Sequence, residues 1–173
     1  MSEIKIENLT FSYYGYVKPV FENVSFSFDT NWKTGLIGRN GIGKSTLFKL
    51  LLNEEVYQGK ISKGVEFIKF PPNIIDTSKL GIELYKELIS DDEEWKLFRE
   101  LNLINLDENL IYREFETLSK GEQTKILLAI LFTKEDEFLL IDEPTNHLDM
   151  DGRKIVSEYL KSKKGFLLIS HDR

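Results

Sequence analysis

The run Gly38-Arg39-Asn40-Gly41-Ile42-Gly43-Lys44-Ser45-Thr46 has the Gly-x4-Gly-Lys-Ser spacing of a P-loop, which suits the whole run to cradle phosphate. Glycines at 38, 41 and 43 let the backbone wrap closely, so that successive N–H groups point inward as an anion nest at the start of the following helix. Lys44 is expected to bridge β- and γ-phosphates, and the Ser45 hydroxyl to ligate Mg2+. The plain alternative is a glycine-rich turn before an ordinary helix. A second run, Phe138-Leu139-Leu140-Ile141-Asp142-Glu143-Pro144, is an apolar strand ending in two adjacent carboxylates. Alone, such a pair is often a solvated strand end. Beside a P-loop, Asp142 is suited to the metal shell and Glu143 to polarising a water for attack on a γ-phosphate.

These residues need elements that place them together. Ahead of the P-loop, Thr34-Gly35-Leu36-Ile37-Gly38 reads as a short apolar strand, and behind it Leu47, Leu50 and Leu51 mark one face of a helix. Ile4 and Ile6, Leu9 and Phe11, and Val24, Phe26 and Phe28 have the two-residue spacing of half-buried strands, expected to form an antiparallel edge or small subdomain. Lys60 to Phe70 reads as one further extended stretch, closed by Pro71-Pro72. From about Leu80 to Tyr112 the pattern turns helical and charge-rich, with Trp95, Phe98 and Leu101 at helical spacing. Together with a long helix beginning near Ser119, this predicts an inserted helical subdomain over about residues 78–130. A last helix, near Met150 to Lys161, feeds a strand from Phe166 to Ser170. Strands alternating with helices predict an α/β fold with a mostly parallel sheet flanked by helices.

A chain of 173 residues suits one domain, here taken as 1–173. It lacks cysteine, so no disulfide or thiolate metal site is available. Its longest apolar run, Ile126 to Phe132, is far short of the roughly 20 residues that cross a bilayer, so no membrane insertion is expected. With no secretory signal either, the cytoplasm is the expected compartment. A net charge of −6 argues against strong nucleic-acid binding by this domain alone. The stop at His171-Asp172-Arg173, just past a buried strand, suggests a fragment of a longer chain.

Taken together, these motifs resemble the ABC ATPase family over essentially the whole chain. Leu118-Ser119-Lys120-Gly121-Glu122-Gln123 is similar to its signature motif, in which a helix N-terminus presents N–H groups and a serine to the γ-phosphate held by a partner cassette. Ser119, Gly121 and Glu122 would carry that role, although Ser119 followed by Glu122 is also a capping box. Asn146-His147-Leu148-Asp149 resembles the D-loop, His171 falls at the family's switch histidine, and Tyr13 resembles the aromatic that stacks on adenine. Tyr14 and Tyr16 compete with Tyr13 for that role.

The resemblance implies ATP and Mg2+ as cofactors, Lys44, Glu143 and His171 in catalysis, and a second cassette as partner. Two departures stand out: Pro72 occupies the place of a glutamine that contacts Mg2+ and water, and Lys120 replaces the first glycine of the signature pair. The D-loop wording, the short helical insert and the signature ending in Glu122 resemble the ABC-F branch, whose members carry two cassettes and act on ribosomes. Asn31 to Gly41 and Phe115 to Ser119 resemble its antibiotic-resistance members, which protect ribosomes from lincosamides and streptogramins. The alternatives are the ATPase subunit of a membrane transporter and a nucleotide-binding module with little turnover.

Overall fold

The structure, a computed structural model, describes residues 3–89 and 93–170. Two compact units divide the chain: Met1–Ile68, Asp136–Glu143 and Lys164–Arg173 in the first, and Lys69–Glu135 and Pro144–Lys163 in the second.

The first unit is built around β1 (Glu3–Phe11), β2 (Phe21–Asp29), β3 (Lys33–Leu36), α1 (Lys44–Leu51), β4 (Gln58–Ser62), β6 (Glu137–Asp142) and β7 (Phe166–Ile169), with β5 (Glu66–Phe70) between β4 and β6 in sequence. One sheet is antiparallel in the order β2-β1-β4, and the other runs β3-β7-β6-β5, with β7 parallel to both β3 and β6. The strand expected over 34–38 ends at Leu36, which leaves Ile37 and Gly38 free to turn into the loop. The single stretch expected from Lys60 to Phe70 is instead two strands in different sheets, interrupted at Lys63-Gly64-Val65. The buried parallel strands read as unbroken apolar runs because both of their faces are covered: Phe138, Leu139, Leu140 and Ile141 are all buried.

Ile4, Ile6, Leu9 and Phe11 are all buried although the two pairs differ in parity, which a plain strand would send to opposite faces. Ile6 pairs with Phe26 but Leu9 with Val24, so β1 advances one residue further than β2. Asn8, at φ 52°, takes up the extra residue in a bulge, a conformation that asparagine tolerates better than most. Asn23, also at φ 52°, sits at the compensating slip on β2. The four apolar side chains of β1 then pack with Phe28, with Leu47, Phe48, Leu50 and Leu51 of α1, and with Phe138, Leu140, Leu167 and Ile169 of the parallel sheet. Phe26, expected on the same strand face as Phe28, is exposed.

The second unit is helical: α2 (Gly81–Leu88), α3 (Glu94–Leu103), α4 (Lys120–Leu131) and α5 (Met150–Ser162), with short 3-10 turns at Glu108–Tyr112 and Phe115–Thr117. On α3 the buried stripe is Leu97, Glu100 and Leu101, continued by Ile104, while Trp95 is exposed. Glu100 is almost fully buried and is held by three partners. The Tyr159 hydroxyl donates to it at 2.6 Å, Arg99 donates at 3.2 Å, and Lys163 donates from beneath the Tyr159 and Phe132 rings. A buried carboxylate needs that company.

Candidate functional site

The glycine-rich loop of the P-loop motif runs from the end of β3 into α1. Gly41 has φ 79° and Gly43 φ 107°, a region open to glycine and costly for residues with a Cβ. Gly43 is also the N-cap of α1, with no side-chain cap, and the first turn holds no acidic residue, so nothing within the helix offsets the positive end of its dipole. A Cβ on Gly43 would lie 2.6 Å from Cγ1 of Val20, so the glycine is required by packing as well as by conformation. Lys44 is 8% exposed, and its ammonium is satisfied within the loop, donating to the carbonyls of Gly38 at 2.7 Å and Arg39 at 3.2 Å. Ser45 is exposed at the start of the helix, and Arg39, Asn40 and Ile42 are exposed around the loop.

Tyr13 sits beside this loop. Its hydroxyl lies 3.2 Å from Thr46 Oγ1, and its ring meets Phe11 edge-on at 4.8 Å. Tyr14 is fully exposed, and Tyr16 is largely so. Of these three tyrosines, Tyr13 is the one with a hydrogen bond to Thr46, while Tyr16 shares the cavity described next.

That cavity, of about 690 Å3, is lined by Tyr13, Tyr16, Lys18, Pro19 and Val20, by Asn40 to Thr46, and by Asp142, Glu143 and Ile169. Its size is that of a small-molecule site. Asp142 ends β6, paired with Ile169 of β7, and Glu143 follows with its N–H donated to the Ile169 carbonyl at 3.0 Å. Glu143 has φ 49°, a left-handed conformation that costs a residue with a side chain roughly 1–2 kcal/mol. Such strain clusters at functional sites. The donor set fits a magnesium nucleoside triphosphate: an uncapped helix N-terminus and a lysine for the phosphates, a hydroxyl and carboxylates for a hard cation.

The second unit holds Ser119, Gly121, Glu122 and Asp149. Ser119 caps α4 reciprocally: its Oγ accepts from Glu122 N at 3.2 Å, while its N–H and hydroxyl donate to the Glu122 carboxylate at 2.8 and 2.7 Å. These bonds hold the Glu122 carboxyl below the usual range. Gly121 packs against Leu148, where a Cβ would sit 3.3 Å from Leu148 Cδ2. Asp149 is the N-cap of α5, accepting from Gly152 N at 2.8 Å. Lys120 reaches forward along its helix to donate to Gln123 Oε1 at 3.0 Å. Pro72 is half-buried. His171 lies outside the described residues.

Sequence reasoning gave no role to Gln123, Val20 or Lys18. Gln123 is buried and donates to the carbonyls of Phe115 and Leu118 at 2.8 and 3.1 Å, holding the turn before Ser119. A polar residue just ahead of the apolar run of α4 was the available signal.

The sequence model of the family described as "ABC transporter" matches residues 21–146. The chain is 30% identical over 161 residues to "ABC transporter F family member 4" of Dictyostelium discoideum, covering 89% of this chain and 14% of that protein. It is 33% identical over 182 residues to "ATP-binding protein Uup" of Buchnera aphidicola, covering 98% of this chain and 30% of the relative. The chain therefore spans less than a third of the length of either relative. In fold it is similar to a Pyrococcus furiosus protein described as an ABC transporter ATP-binding protein, with a TM-score of 0.81 and 21% identity over 99% of this chain and 92% of the other.

Proposed function

Because the chain belongs to the ABC transporter family of ATP-binding cassettes, we propose that it binds Mg-ATP in the cavity of its P-loop unit and hydrolyses it, as one cassette of a two-cassette ABC-F protein. The observation that carries this reading is that one cavity is lined by Gly41 to Thr46, by Asp142 and Glu143, and by a tyrosine bonded to Thr46. The N–H groups entering α1 receive the phosphates. Lys44 exchanges the Gly38 and Arg39 carbonyls for phosphate oxygens. Tyr13 supports the base. Ser45 and Asp142 are the residues that would hold a magnesium ion, which when bound neutralises charge on the phosphate oxygens. Glu143 accepts a proton from a water as its oxygen bonds to the γ-phosphorus and the bridge to the β-phosphate breaks, giving ADP and phosphate. Glu143→Gln should lower kcat by about a hundredfold or more while leaving ATP binding intact. Unchanged turnover in a single-turnover assay would remove Glu143 from the chemistry.

On the same reading, the Ser119 turn with Gly121 and Glu122 faces the γ-phosphate of an opposing cassette, Asp149 couples the two sites, and His171 touches the γ-phosphate of its own site as a catalytic residue. ATP drives closure by binding the closed form better. The greater length of the relatives and the ABC-F name of one of them support a second cassette in the full-length, cytoplasmic protein. The sequence resemblances described above extend this to the ribosome and to protection from antibiotics. A full-length Glu143→Gln protein should co-sediment with ribosomes in ATP; loss of that association would leave a transporter ATPase as the better reading. Pro72 favours slow turnover, so Pro72→Gln should raise kcat, and an unchanged kcat would remove that explanation.

A further inference from the structure

We propose that Lys18 is a second phosphate-contacting cation of the nucleotide site, supplied from outside the P-loop; this rests on the Mg-ATP reading of the same cavity. The segment between β1 and β2 is an anchored loop. Tyr16 N donates to the Tyr13 carbonyl at 3.1 Å across a turn in which Gly15, at φ 83°, takes the position that needs a left-handed residue. The loop closes where Val20 N donates to the Phe11 carbonyl at 2.8 Å.

Its far end is seated on the phosphate loop itself, since Val20 lies against Gly43, the N-cap of α1. Lys18 is two residues before Val20, so its Cα is within about 7 Å of that of Val20, at the end of the cavity where α1 begins. Pro19 restricts Lys18 to extended backbone, which narrows the directions its side chain can take. Lys18 is exposed and lines the cavity, and among the described residues no ion pair involves it.

Charge supports the assignment. Among the described residues, the cations lining the cavity are Lys18 and Lys44, and the carboxylates lining it are those of Asp142 and Glu143. A nucleoside triphosphate carries more negative charge than one magnesium ion cancels. Among the described residues lining the cavity, the other ammonium is that of Lys44, which is already committed to the carbonyls of the loop. Lys18 thus reads the phosphate chain, and its contribution grows with the charge of the nucleotide.

The test is calorimetric binding of Mg-ATP, Mg-ADP and AMP to the wild-type chain, Lys18→Met, Lys18→Arg and Lys44→Ala, at two salt concentrations. Lys18→Met should weaken ATP about three- to tenfold, ADP less and AMP hardly at all, with a shallower salt dependence, as for removal of one partly exposed charged contact. Lys18→Arg should restore most of the affinity. Equal ATP affinity in Lys18→Met, or an equal loss for ATP and AMP, overturns the proposal. The arms separate the two claims: Lys18→Met behaving like wild type while Lys44→Ala loses binding defeats the role of Lys18 alone. ATP affinity unaffected by Lys44→Ala defeats the site itself and Lys18 with it.

Discussion

At Glu143 two demands meet: a carboxylate residue lining the same cavity as Gly41 to Thr46 and a backbone bent into the left-handed region. The hydrogen bond from its N–H to Ile169 holds that bend, so the position of the carboxylate is set by the end of the parallel sheet rather than by side-chain packing alone. Glu143→Gly should relieve the backbone strain, raising stability by about 1 kcal/mol in urea unfolding while abolishing turnover. A loss of stability would show that the side chain contributes more to packing than its backbone costs. That the P-loop run and the Asp142-Glu143 pair belong to one site was legible in the sequence, because each is contiguous and its residue types suit phosphate and metal chemistry; both line one cavity. The strain at Glu143 was not legible, since neither glycine nor asparagine marks the position.

Elements are fixed by local devices whose cost of removal can be measured. Gly59, at φ 103°, lies across from the β1 bulge, and a Cβ there would come 2.5 Å from the Asn8 carbonyl oxygen and 2.6 Å from that of Glu7. Both are backbone atoms and cannot swing away. Gly59→Ala should therefore destabilise the protein by about 2–3 kcal/mol, read as a lowered urea midpoint. The capping box of α4 makes a pH-dependent contribution. Because the folded carboxyl of Glu122 lies lower than the unfolded one, its stabilisation is present above the usual carboxylate range and is lost as pH falls through the depressed folded value. Stability curves of wild type and Glu122→Gln should accordingly converge in acid and separate toward neutral pH; parallel curves would contradict the assignment. That cap was legible as Ser119 followed by Glu122. The bulge at Asn8 was not, because two correctly spaced apolar pairs conceal their change of parity until the register with β2 is known.

Over the whole molecule, the motif pattern predicted an α/β cassette with an antiparallel part, and the two sheets of the first unit bear this out. What escaped was long-range: Glu100 and Lys163 are 63 positions apart, and no periodicity links them. Removing one member leaves the other charge buried, so Glu100→Ala should cost about 3–5 kcal/mol in unfolding free energy without any nucleotide present. A mild effect would mean that water reaches Lys163 when its partner is gone.

Every role proposed for the first unit depends on nucleotide binding there. Calorimetry of Mg-ATP with this chain, beside Lys44→Ala at matched folding by circular dichroism, tests it most directly. Saturable binding by the unmutated chain that disappears in Lys44→Ala is the predicted result. A folded wild-type chain that binds no Mg-ATP, or a Lys44→Ala chain that binds equally well, would contradict it.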